Sequence, residues 1–226
     1  MAVLIDEARA LFGDAMLGPD DVARALASEA AQLASGDASV LSSVPFDLAR
    51  LRAAKDRGHL LVFRTPTDGT APLTAHRLLE RLPGSILAKL MQGVGYQLKD
   101  EWTLDSEPFF STETNPLAWR LVHREPVPAT RNLTYQQQEA ALVQYADGAG
   151  LDGLLRRRSG VAMIYDTLLF AHARGVRLLE HTWDWSSTPT GDGGYITAGE
   201  LSADGLRVIG YSRAVRFGTL GVCPEY

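Results

Sequence analysis

The sequence predicts an α+β protein: a helical N-terminal region, residues 1–58, followed by a mixed domain, residues 59–226, whose C-terminus is rich in strands and glycine. Three observations carry this prediction. Apolar residues recur at helical spacing up to about residue 57, the texture shifts at His59 to short β-forming runs bounded by turn residues, and glycines alternate with β-formers near the C-terminus. With 46% hydrophobic and 22% charged residues in 226, the chain has the make-up of a globular protein that buries a core.

Leu4, Ile5, Ala8, Leu11 and Phe12 form one helical stripe. Gly18-Pro19-Asp20-Asp21 opens a second helix, with proline where no N–H is needed and acids at the positive end of the dipole. Val22, Ala25, Leu26, Ala30 and Leu33 continue it until Ser35-Gly36-Asp37. A third helix places Leu48, Leu51 and Ala54 on one face and Gly58 at its cap. Leu60–Phe63 is a buried strand, Leu73–Leu82 and Ser85–Met91 are helical, and Gly93–Pro116 is irregular but aromatic. Leu117–Arg124 is a strand, and Thr134 with Gln137 forms a capping box for a helix running to Ala146. Gly160 precedes a further helix with Val161, Ile164, Tyr165, Leu168 and Leu169 on its stripe, ending near Gly175. Short glycine-punctuated strands complete the chain.

A net charge of −5 argues against a nucleic-acid partner, which requires a basic face to displace counterions. The single cysteine, Cys223, allows no intrachain disulfide and reads as a small buried hydrophobe. Acids near the start, where a signal peptide is basic and apolar, and no apolar run of membrane-spanning length predict a cytoplasmic protein without a membrane span.

No motif for chemistry survives its context. Gly148–Gly153 matches a dinucleotide fingerprint but follows a helix instead of a strand. Gly210-Tyr211-Ser212-Arg213 lacks the following helix and downstream histidine of a nucleophile elbow. His76 and Glu80 lie one helical turn apart without a third ligand, and Glu180, His181 and Asp184 alternate across a strand. Arg156-Arg157-Arg158 reads as a solvated helix face ahead of a phosphate site. Trp183 and Trp185 share one strand face, with core anchoring ranked above ligand stacking. The expectation is no catalytic residue, no metal and no cofactor.

The order of elements in the second half carries a resemblance. A strand at Trp119–Glu125 leads to the helix near Tyr135–Gln138; the helix at Ala162–Asp166 runs into Gly175-Val176-Arg177-Leu178, Trp183 follows, and the chain closes on Leu220-Gly221-Val222-Cys223. Over about residues 117–226 this resembles the C-type-lectin-like domain of the formylglycine-generating-enzyme type. Trp183, Trp185, Gly193-Gly194, Gly205-Leu206-Arg207-Val208 and the final Leu-Gly-Val-Cys also resemble the tails of a group of uncharacterised bacterial proteins. The resemblance implies the scaffold without its chemistry: the oxidase cysteine pair, the sulfoxide-synthase histidine site and the calcium motif of sugar-binding lectins are all missing. Variable proteins of diversity-generating retroelements use this scaffold, which implies a display surface on loops Ser187–Asp192, Glu200–Asp204 and Tyr211–Phe217.

The sequence therefore predicts a binding protein ahead of an enzyme, with an unidentified protein or surface ligand as partner. The predicted ligand-binding residues are Trp183, Trp185, Tyr195, Tyr211, Arg213, Arg216 and Phe217, since aromatics and arginines dominate recognition surfaces. The alternatives are an enzyme with a dispersed site at His123, Glu180, His181 and Asp184, and a phage or assembly protein contacting its partners through the N-terminal helices. Oligomeric state is left open.

Overall fold

The computed structural model describes residues 2–34, 36–82, 90–92, 104–148 and 155–226. The N-terminal region begins with strand β1 (Val3–Leu4) and helix α1 (Ile5–Phe12), which carries two acids in its first turn and buries Ala8 and Phe12. Strand β2 (Met16–Leu17) leads into α2 (Pro19–Ala25), whose entry is fixed by Asp21 accepting the Gly18 N–H at 2.9 Å. The predicted second helix is in fact two. Ala27 takes a left-handed φ of 50°, and α3 (Ala30–Leu33) starts afresh. Ser28 stabilises the break by donating its hydroxyl to the carbonyls of Leu26 and Asp68. Strand β3 (Ser43–Val44) pairs with β1, and α4 (Leu48–Asp56) begins at the Asp47 cap and ends before Gly58, at φ 75°.

Strand β4 (His59–Arg64) is buried along its whole length, and α5 (Ala75–Arg81) follows behind the Thr74 cap. Leu90–Gln92 form strand β5, so the helix predicted to reach Met91 does not; the rest of that segment, and Trp102, lie outside the described residues. A short helix α6 (Pro108–Thr112), absent from the sequence prediction, buries Phe109 and Phe110. Strand β6 (Ala118–His123) precedes α7 (Tyr135–Gly148), which opens on the predicted box: Thr134 N–H donates to Gln137 at 3.0 Å. Arg156–Arg157 form strand β7 instead of a solvated helix face. Then come α8 (Gly160–Arg174), β8 (Trp183–Pro189), β9 (Tyr195–Ser202), β10 (Gly205–Tyr211), β11 (Leu220–Gly221) and β12 (Pro224–Glu225).

Among the described residues two five-stranded sheets form, in the orders β11-β8-β9-β10-β5 and β2-β4-β6-β12-β7. In the second, β2 from the helical N-terminal region runs parallel to β4, and the last residues of the chain lie between β6 and β7. Helix α8 lies at the centre, buried from Gly160 through Ala171. It packs on β8 and β9 of one sheet and on β2 of the other, and Tyr165 donates its hydroxyl to the Phe63 carbonyl of β4 at 3.1 Å. An apolar helix without a polar face requires such all-round cover. Residues from Val3 to Tyr226 share this core. The chain is thus a mixed α+β protein with several sheets, and no helix among the described residues is long and apolar enough to cross a membrane.

Candidate functional site

Strand β8 organises both regions of interest, because alternate side chains point to opposite faces. Trp183 and Trp185 enter a separate apolar cluster with Ile209, Tyr211 and Leu220. Asp184 faces the other way, toward Arg158 and the Cys223 N–H.

The aromatic cluster has its own roof. Tyr195 and Tyr211 stand opposite each other on β9 and β10, and Pro189 of β8 pairs with Tyr195, so these residues mark one end of the sheet. Leu220 pairs with Trp183 nearer the other end, so residues 212–219 cross the outer face between the two. Val215 and Phe217 pack beneath this crossing, with the Phe217 ring 5.9 Å from Tyr211 and 6.4 Å from Trp183. Tyr135 at the start of α7 stacks on Tyr195 at 4.0 Å and meets Trp185 edge-on at 5.3 Å. On the outside, Arg213 lies over the Tyr195 ring at 5.0 Å and donates to its hydroxyl at 3.0 Å. Glu200, at a left-handed φ of 49°, accepts from the Trp183 indole at 3.2 Å and pairs with Arg207. Gly199 permits this approach, since a Cβ there would lie 2.3 Å from the Thr182 carbonyl oxygen and 2.6 Å from the Trp183 ring.

Of the predicted ligand-binding residues, Trp183, Trp185 and Tyr211 are therefore buried, Tyr195 and Phe217 are half-buried, and Arg213 and Arg216 are exposed. The loops do not all converge. The 190–194 turn and the start of 212–219 share one end of the sheet, whereas Glu200–Asp204 turns at the other.

The inner face of β8 joins a buried ionic seam that sequence reasoning missed. Arg64 grips Asp166 through Nε at 2.8 Å and Nη2 at 2.6 Å, and its Nη1 donates to Glu225. Arg158 donates to Asp166 at 2.9 Å and to Asp184 at 2.6 Å. Burial opposes charge on both arginines. For Arg64 the carboxylates of Asp166 and Glu225 more than offset it, and for Arg158 those of Asp184 and Asp166 do, so both pKa values are raised. Burial, with Asp184 alongside, pushes the Cys223 thiol well up, leaving it a poor nucleophile. One signal was available in the sequence: Asp166 stands within an apolar helix, where a buried acid requires a partner.

Beside the seam opens a cleft of about 430 Å³, lined by Arg64, Asn115, Arg156, Ser159, Val161 and Glu225 among others. The lining residues form no motif in the sequence, because they come from five separate stretches of chain, at 64, 113–116, 156–161, 187 and 225.

The remaining sequence candidates are placed simply. His76 and Glu80 form a surface pair at 3.8 Å on α5. Glu180 and His181 occupy an exposed turn before β8, not a strand, while Asp184 is engaged by Arg158; His123 donates to the Glu125 carbonyl and faces Tyr145. Ser212 follows β10 with no helix after it, and residues 149–153 of the glycine motif lie outside the described residues. Ala8 is buried and Leu11 half-buried, which leaves Leu4 as the exposed member of the proposed N-terminal contact face. Among the described residues no three His, Cys, Asp or Glu side chains group as a metal site. Comparisons with family models, with curated proteins and with solved structures give no match.

Proposed function

We propose that the chain is a non-enzymatic binding protein whose recognition surface is the 212–219 crossing and the adjoining 190–194 turn. The observation that supports this reading is the division of labour across the crossing. Val215 and Phe217 anchor it from below, while Arg213 and Arg216 project outside. Such a segment can change its outward side chains without disturbing its support, because the anchors supply the apolar burial. Exposed arginines favour a protein or surface ligand with acidic groups. The aromatic residues of the predicted set serve as the platform, and the arginines make the contact.

The C-type-lectin-like relationship, and membership among retroelement-diversified variable proteins, extend this reading. Under it, sequencing many copies of the gene within one population finds substitutions concentrated at Ser212, Arg213, Ala214 and Arg216, with Trp183, Trp185 and Phe217 constant. An even spread of substitutions overturns the diversification reading. The binding reading is tested by affinity capture from the source cells with the parent chain and with Arg213→Ala/Arg216→Ala. A partner retained by the parent at low salt and lost by the double variant, whose melting temperature is unchanged, supports it. Equal capture by both overturns it.

A further inference from the structure

We infer that the cleft beside the ionic seam is a binding site for a small organic anion, carrying a carboxylate or phosphate group next to a hydroxyl, amine or amide. Its volume of about 430 Å³ lies within the ~300–1,000 Å³ usual for small-molecule sites. Its walls hold polar groups left unpaired among the described residues.

Asn115 is only 1% exposed, and neither its Oδ1 nor its Nδ2 has a hydrogen-bond partner among the described residues. A buried polar group left unpartnered loses its hydration without replacement, so two open positions on one side chain call for an explanation. A ligand that both accepts and donates would satisfy them. Helix α8, 15 residues long, begins at the same cleft. Its first-turn donors are accounted for except one: Gly160 N–H donates to Thr188 Oγ1 at 2.9 Å, Ala162 N–H to the Ser159 cap, and Met163 N–H to the Ser159 carbonyl. Val161, which also lines the cleft, has an amide with no acceptor among the described residues, at the positive end of the helix dipole.

Arg156 completes the set. It uses Nε on Glu225 at 3.0 Å, its terminal nitrogens have no partner among the described residues, and its side chain is 57% exposed at the rim. Arg64 and Glu225 behind it are already paired, so the seam forms a fixed floor and does not compete for the ligand. Glu113, on the lining, supplies an acceptor suited to a hydroxyl or amine beside the anion. The site therefore offers a guanidinium from β7, a helix-end N–H from α8 and an amide from the loop before β6, a donor set for an oxyanion with a polar neighbour.

The test uses the full chain, with glycerol 3-phosphate and glycerate as probes and sodium chloride at matched ionic strength as control. Melting temperature and amide resonances are followed during titration to 10 mM. Saturable shifts of the Val161 backbone amide and the Asn115 side-chain amide are expected, and whichever probe produces them identifies the anion as phosphate or carboxylate. Arg156→Ala is expected to weaken binding roughly tenfold or more, the loss of one charge-assisted contact, and Asn115→Ala to weaken it comparably. If Asn115→Ala does not fold, Arg156→Ala, altered only at the rim, decides the question. The inference is overturned if neither probe shifts these two groups, or if Arg156→Ala binds as tightly as the parent.

Discussion

On one face of β8, Trp183 and Trp185 are buried by rings from β9, β10 and the 212–219 crossing; on the other, Asp184 is buried by Arg158 and, beyond it, Asp166 and Arg64. Neighbouring residues of a single strand thus enter interiors stabilised in unlike ways. The aromatic side gains by area removed from water, which is non-directional and degrades gradually as groups are trimmed. The ionic side rests on pairing: each charge is tolerable only while its partner remains, and removing one strands the others. The contrast teaches that similar burial implies dissimilar sensitivity. The largest expected effect therefore lies on the charged side. Arg158→Leu leaves Asp166 and Asp184 without a shared cation, and a loss of about 3–5 kcal/mol is expected, measured by urea unfolding at pH 7. A loss below about 1 kcal/mol would break the comparison, since the seam would then resemble surface ion pairs.

Strand β4 repeats the contrast within itself. Arg64 at one end is buried and charged because it is paired, whereas His59 at the other is buried and neutral. Its Nδ1–H donates to the Ala54 carbonyl at 3.0 Å, and Nε2 has no partner among the described residues. Burial first, then nearby His123 and Arg57, lower its pKa from 6.5 to about 4. The unfolded chain takes up this proton as the pH falls through 6.5, and the folded chain resists until about 4. Stability is therefore complete above 6.5 and declines between 6.5 and 4, by on the order of 3 kcal/mol for a shift of that size. Urea midpoints taken across this range should fall toward acid in the parent and less in His59→Gln. Parallel profiles would show that His59 does not carry the effect.

The two interiors also differ in how much of them the sequence discloses. The aromatic side is local: Trp183 and Trp185 alternate on paper as they do on the strand, and most of their cover comes from Tyr195 to Leu220. Hence core anchoring could be ranked first for the tryptophans, and the helices with plain caps, α4, α7 and α8, were legible from Gly58, Thr134 and Gly175. The seam is long-range, with Arg64 separated from Asp166 by 102 positions and from Glu225 by 161. No spacing rule reaches that far, so in the sequence Arg156–Arg158 reads as a wet helix face. The break at Ala27 escaped for a related reason: apolar periodicity runs through it, and the Asp68 carbonyl that holds Ser28 lies 40 residues on. Asn115, in a loop, offered no periodicity at all.

A smaller effect probes the fit of the aromatic side. Gly199→Ala adds a Cβ where the Thr182 carbonyl oxygen lies at 2.3 Å and the Trp183 ring at 2.6 Å, so strand or indole must move. A cost of about 1–3 kcal/mol is expected, with a changed tryptophan near-ultraviolet dichroism. An unaltered spectrum with full stability would mean that Trp183 is not seated against this glycine.

The smallest effect belongs to Trp185→Phe, the neighbour of Asp184 and the sharpest test of the contrast. Trp185 is fully buried, yet its indole N–H has no partner among the described residues. Phenylalanine therefore orphans no polar group; it removes volume from a cluster that also contains Tyr135 and Ile209. The expected loss is about 1–2 kcal/mol, well below that for Arg158→Leu although both side chains are buried beside the same strand. Because the indole N–H is buried without an acceptor, part of the lost packing is offset by relief of that group. A loss above about 3 kcal/mol would show instead that the aromatic side depends on specific interlocking as strongly as the seam depends on pairing, and the distinction between the faces of β8 would fall.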